Sequence, residues 1–154
     1  MAFLAGQKVS AAELNALAPP TSATAGSSGY ANTDSTSYTT LTGDPGVAFT
    51  APQSGKVIVA IRAAMLGEAA GIGAQCSFVV RTGSTVGSGT TFLAAQDDNS
   101  LQTKGQDDWE AGQVTLVSGL TPGSAYNVQM VYKRVGGSSN GGFSRRRVTV
   151  FPTF

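Results

Sequence analysis

The sequence predicts an all-β protein: an antiparallel β-sandwich, jelly-roll-like, of about eight strands, with one short helix at the N-terminus. Three observations carry this. Apolar residues fall in short runs divided by Gly-, Ser- and Pro-containing turns. Within those runs they alternate, as strands half-buried in a sheet require. No helical period occurs after residue 20, and runs of strands without helices pack as sandwiches or barrels.

The helix comes first. Residues 1–20 read MAFLAGQKVSAAELNALAPP. Ser10 followed by Glu13 forms a capping box, and Val9 and Leu14 flank it at the spacing of a hydrophobic staple. Pro19 and Pro20 stop the helix. Its roughly seven or eight residues fall short of the ~12–15 that hold together alone in water, so Phe3, Leu4, Val9, Leu14 and Leu17 need a surface to lie on. Residues 21–37, TSATAGSSGYANTDSTS, hold Tyr30 as the only large apolar residue. A run so poor in apolar surface reads as a tether or an extended arm. The predicted layout is an anchor segment (1–20), a tether (21–37) and a β-sandwich head (38–154), with the alternative that the N-terminal arm folds back on its own domain.

Within the head the expected strands follow in order. Tyr38–Thr42 is closed by Gly43-Asp44-Pro45-Gly46, and Val47–Ala51 by Pro52-Gln53-Ser54-Gly55. Lys56–Leu66 is the longest, with Val57, Val59, Ile61, Ala63 and Met65 on one face and Arg62 on the other. Gln75–Thr82 puts Cys76, Phe78 and Val80 together. Thr90–Ala95 precedes a polar segment, 96–112, that contains the single tryptophan, Trp109, and five of the nine carboxylates. Gln113–Ser118 has Val114 and Leu116 on one face. The corner Leu120-Thr121-Pro122-Gly123 leads to Tyr126–Val135, with Tyr126, Val128, Met130 and Tyr132 aligned, and Phe143–Thr153 turns Val148 and Val150 inward. The loops 67–74, 83–89 and 136–142 are expected to face solvent or a host surface.

Composition removes several functions. The chain of 154 residues has no histidine, so it has no histidine base, nucleophile pair or metal ligand. Cys76 is the one cysteine. It lies on an apolar strand face, where a buried inert thiol is expected, and it excludes an internal disulfide. Asp97, Asp98 and Asn99 are hard oxygen donors on a turn, but their spacing departs from the calcium-loop pattern; no cofactor or metal is expected. A net charge of +1 gives no case for nucleic acid, and no run reaches the ~18 apolar residues of a membrane span. Nor is there a signal h-region, so synthesis in a cytoplasm without export by the ordinary route is expected.

Two charged groups stand out. Trp109 beside Asp107, Asp108 and Glu110 is the best candidate for a surface ligand such as a host glycan, with packing at an interface as the alternative. Arg145, Arg146 and Arg147, near Lys133 and Arg134 across the last hairpin, can be a solvated face. They can also pair with the acidic segment, within one subunit or between subunits. An Arg-rich last strand resists edge-to-edge sheet addition in either case.

GQKVSAAELNAL, through Gly6, Gln7, Val9, Ser10, Ala11, Leu14 and Asn15, resembles the opening of tailed-bacteriophage virion proteins, especially minor tail and fibre proteins. FTAPQSGKVIVAI and the closing LTPGSAYNVQMVYKR and GGFSRRRVTVFP resemble their β-sandwich domains, which are similar to trimeric jelly rolls of complement and tumour-necrosis-factor type. The resemblance implies a non-enzymatic structural protein of the virion, often a homotrimer. It would be attached through its N-terminal segment to other virion proteins of capsid or tail, with Phe3, Leu4, Val9, Ser10, Glu13, Leu14 and Leu17 as anchor residues. Leu120-Thr121-Pro122-Gly123-Ser124-Ala125-Tyr126 also resembles the tyrosine corner of fibronectin type III domains, which implies the alternative of an extracellular binding module.

Overall fold

The computed structural model describes residues 22–154. The expected anchor helix, with Phe3, Leu4, Val9, Ser10, Glu13, Leu14 and Leu17, lies outside the described residues. Ten strands follow: β1 (Ala23–Ser27), β2 (Ala31–Thr33), β3 (Gly46–Thr50), β4 (Lys56–Gly67), β5 (Gly73–Thr82), β6 (Thr91–Leu93), β7 (Leu101–Lys104), β8 (Trp109–Ser118), β9 (Ala125–Val135) and β10 (Gly141–Pro152). A single 3-10 turn, Asp97–Asn99, precedes β7.

They form two five-stranded antiparallel sheets. Sheet A runs β1-β10-β4-β8, with β2 also on β10; sheet B runs β3-β9-β5-β6, with β7 also on β5. The first strand pairs with the last and the third with the ninth, and the chain crosses between sheets as it proceeds. This nesting is a jelly roll, two interleaved Greek keys. It is not the seven-strand fibronectin arrangement. The corner bond of that resemblance is nonetheless present, because the Tyr126 hydroxyl accepts from the Thr121 N–H at 3.1 Å.

The core lies where the sheets face each other. Val57, Val59, Ile61, Ala63 and Met65 from β4 meet Cys76, Phe78 and Val80 from β5 and Tyr126, Val128, Met130 and Tyr132 from β9, all buried as the alternation predicts. The Tyr132 and Phe143 rings sit 4.8 Å apart. Such aromatic pairs add to what their buried area alone contributes.

Three expectations need correction. Ala23–Ser27 and Ala31–Thr33, read as tether, are strands paired to β10. Their small side chains bury little, but the backbone completes its hydrogen bonds on the edge β10 would otherwise expose, and composition does not report that. Residues 38–42 do not form a strand; only Thr39 bridges, to Tyr132. The polar segment 96–112 contains β7 and the start of β8.

Strand β10 carries a bulge. Phe143 pairs with Met65, but Val148 pairs with Ile61, and the register slips between Ser144 and Arg147. Arg145 takes a left-handed backbone (φ 47°) at this point. One extra residue is absorbed, so Phe143 and Val148 both face the core although they differ in parity.

Candidate functional site

The bulge organises the charged cluster. At Arg145 the side chain leaves the regular alternation and reaches across the face of sheet A, where its Nη2 donates to Asp108 at 2.8 Å and its Nε lies 3.4 Å from Glu110. Glu110 also pairs with Arg62 of β4. Two guanidinium groups and two carboxylates thus neutralise each other within one protomer, so the Arg–carboxylate pairing is intramolecular here. All four are substantially exposed, and pairs of this kind contribute little to stability.

Arg146 does something different. Its side chain points between the sheets, 2% exposed, and Nη1 donates to Asp44, also 2% exposed, at 2.9 Å. Nη2 reaches Ser27 Oγ at 3.2 Å, and the guanidinium carbon stands 5.5 Å from the Tyr132 ring centre. Burial pushes the Asp44 carboxyl up to about 6, against the opposing pull of the Leu41 N–H and of Arg146. Arg146 therefore joins β10 to the 27–29 and 42–44 turns and is a structural residue, not part of a surface cluster. Arg147 is exposed on the outer face, opposite Gly26 of β1 and Arg62 of β4. With Thr24, Ser27, Arg62 and Arg145 it lines an open cleft of about 400 Å³.

Trp109 begins β8 opposite Met65 and is 50% exposed. With Asp107, Gln102, Thr103 and Lys104 it lines a shallow depression of about 360 Å³. Of the four residues expected together here, Trp109 and Asp107 share this depression, whereas Asp108 and Glu110 are turned to the arginines. Asp97 is engaged elsewhere: Lys133 Nζ donates to it at 2.7 Å and the Tyr38 hydroxyl at 2.9 Å. Those two donors hold its carboxyl below the usual range. Among the described residues no three His, Cys, Asp or Glu side chains are grouped to hold a metal ion. Cys76 is wholly buried and its thiol is pushed up to about 12 by desolvation.

Sequence reading missed Asp44 and Arg62 as members of these clusters. Asp44 was visible only as a turn residue, while Arg62 on the polar face of β4 was a usable sign.

No family model matches the chain, and no curated protein matches it. Among solved structures, chains from infectious bursal disease virus, Gx and Gt strains, are similar with TM-scores of 0.49 in both cases, at 10% and 11% identity. The similarity covers 85% of this chain and 32% of each viral chain, so this chain spans about a third of their length.

The outer face of sheet A holds a third feature that alternation placed but did not interpret. Val114 and Leu116 of β8 are 65% and 60% exposed, and Phe151 of β10 is 44% exposed. The register sets Leu116 opposite Ile58 and Ile58 opposite Phe151, with Val114 opposite Ala60 one row along. These residues point away from the core, on the side opposite Val57, Val59 and Ile61.

Proposed function

We propose that this protein is a non-enzymatic structural component of a tailed-bacteriophage virion, located on the particle. Its N-terminal segment attaches it to other virion proteins of capsid or tail, and its jelly-roll head is displayed, as a homotrimer, outside. The observation that carries this reading is the pairing of an N-terminal sequence that bears helix-capping and apolar signals with a chemically quiet head. Cys76 is buried, Asp108, Glu110 and Asp97 are tied to cations, and the chain holds no histidine.

Deleting residues 1–20 tests it. The head should keep its unfolding transition while the protein disappears from purified particles. Truncated protein that still assembles onto particles refutes attachment through this segment, and so does a head that unfolds when Leu14 is changed to Ala.

A second role is favoured by Trp109, half exposed beside Asp107 and Lys104. An exposed indole flanked by polar groups suits a saccharide of the host surface, stacked on the ring. Trp109 is the single tryptophan, so its fluorescence reports directly on titration with host-wall saccharides. No change at millimolar sugar removes this role.

A further inference from the structure

We propose that the cleft on the outer face of sheet A, built around Arg147, binds the phosphate group of a small polar phosphoester. This goes beyond the attachment role and does not depend on it.

The first observation is a charge imbalance. Arg62, Arg145 and Arg147 all line the cleft, and no Asp or Glu does. Arg62 and Arg145 reach out of it to Glu110 and Asp108 on the β8 side. That uses both nearby carboxylates. Arg147 is exposed and makes no ion pair among the described residues, so one guanidinium faces the cleft without a counter-charge.

The second is the register. Gly26, Arg147, Arg62 and Gly112 stand opposite one another in a single row across β1, β10, β4 and β8. Like charges directly opposite on neighbouring strands destabilise a sheet. An acidic residue at either end of the row would relieve that repulsion, yet both ends are glycine. At Gly26 an added Cβ would come within 3.3 Å of the Arg146 carbonyl oxygen and 3.7 Å of Arg147 Nε. Any larger residue there would crowd the guanidinium and fill the cleft. Glycine keeps it open, and an anion lying over the row turns the repulsion into attraction.

The third is the bulge. Arg145, at φ 47°, is the only residue other than glycine with a positive φ among the described residues. Glycine is the usual occupant of a left-handed bulge position, because it alone adopts that backbone without steric cost. Strain of this kind persists where the surrounding structure enforces it, and it clusters at binding sites. Here it holds a third guanidinium at the same cleft.

The chemistry of the donors selects the ligand. A guanidinium presents its N–H groups as a fork that matches carboxylate or phosphate oxygens in pairs. Arg147 lies against β1 at Gly26, whereas Arg62 and Arg145 lean toward β8, so donors flank the cleft on two sides. A tetrahedral anion, with oxygens directed several ways, meets both sides; a planar carboxylate meets one. Exposed ion pairs contribute little, so Arg62 and Arg145 can exchange their carboxylates for a ligand oxygen at small cost. The volume of about 400 Å³ exceeds a bare phosphate and leaves room for a polyol or sugar that carries it. No aromatic side chain lines the cleft, so it offers a nucleobase no stacking platform.

The experiment follows amide chemical shifts of the full chain in low-salt buffer, titrated with glycerol 3-phosphate and with the phosphodiester of two glycerols. Shifts should saturate at residues 24–28 and 145–147, with a Kd on the order of 1 mM for probes this small. Arg147→Gln, at an exposed position, should keep the wild-type circular dichroism and weaken binding ~10-fold or more. Lys56→Gln removes the same charge at the start of β4 and should bind as wild type. Tighter binding of the monoester supports the proposal with a free phosphoester as ligand, and tighter binding of the diester supports it with a phosphodiester-linked polymer unit. The proposal is overturned if neither probe shifts these amides, or if acetate shifts them equally. It is also overturned if folded Arg147→Gln binds as wild type, or if Lys56→Gln weakens binding as much, since net charge alone would then be acting. Binding of a single-stranded oligonucleotide without binding of either glycerol probe overturns it in favour of nucleic acid.

Discussion

Replacing Arg146 with Met tests the most consequential internal contact of the head. The substitution keeps an unbranched chain of similar reach but removes the partner of Asp44, a carboxylate 2% exposed, along with the bond to Ser27 and the guanidinium beside Tyr132. Breaking a buried pair from one side costs about 3–5 kcal/mol, because the remaining charge keeps its desolvation penalty. For a domain of this size that is roughly a 10–15 °C fall in melting temperature. Urea unfolding at pH 7.5 should show a lower midpoint with an unchanged slope.

The pH dependence gives a second reading of the same contact. In wild type Asp44 sits at about 6, above its ordinary value, with Arg146 among the influences that hold it down. Without Arg146 it must rise further. A raised carboxyl binds its proton more tightly in the folded state, so its contribution is fully present below about pH 4 and is lost as pH rises through the folded value. The variant should therefore recover more stability than wild type on acidification from pH 8 to pH 5. Equal urea midpoints at pH 7.5, or a flatter pH profile in the variant, would refute the argument. Replacing both residues, as Asp44→Leu/Arg146→Met, should restore much of the loss.

Other outcomes follow from single contacts. Asn127, wholly buried, accepts from the Gly87 N–H and donates to the Gly83 and Ser88 carbonyls; Asn127→Ala should cost about 2–3 kcal/mol and speed amide exchange over residues 83–90, whereas unchanged exchange there would sink the assignment. Glu68 takes hydrogen bonds from Tyr30 and Asn32 that hold its carboxyl below the usual range; their contribution is present above about pH 4 and lost as pH falls through the lowered value, so β2 amides should lose protection relative to their intrinsic exchange rates in acid, and Glu68→Gln should lower that protection already at neutral pH. Cys76 should react with thiol reagents only as fast as the head unfolds, and stoichiometric labelling within minutes under native conditions would contradict its burial.

Much of the fold was legible because sheets with one buried face write a period of two into the sequence. Lys56–Leu66 and Tyr126–Val135 show it plainly, and both are strands with the expected face inward. Legibility failed where backbone pairing, not side-chain burial, makes the strand. Ala23–Ser27 has almost nothing to bury and still completes a sheet. It failed again at β10, since a bulge breaks parity and no residue type announces a non-glycine left-handed position such as Arg145. In the charged cluster, the attraction of basic to acidic segment was readable from counts, but the separate fate of Arg146 depended on which side of the bulge it fell. Val114 and Leu116 were correctly placed on one face, while the direction of that face depended on which side sheet B covers.

The pairing of β1 with β10 has a practical corollary. The chain enters the head at Ala23, opposite Val150, and β10 ends at Pro152, so entry and exit share one pole. The opposite pole is built by the turns around Gly67 and Gly141, which face each other in register, and Trp109 stands near it, opposite Met65. A reporter fused after Phe154 would therefore emerge at the pole where the chain enters β1. A peptide inserted between Gly137 and Asn140 would ride at the far end, separated by the length of a twelve-residue strand, about 40 Å. For anyone using this head to present an epitope, the loop and not the terminus is the place to put it.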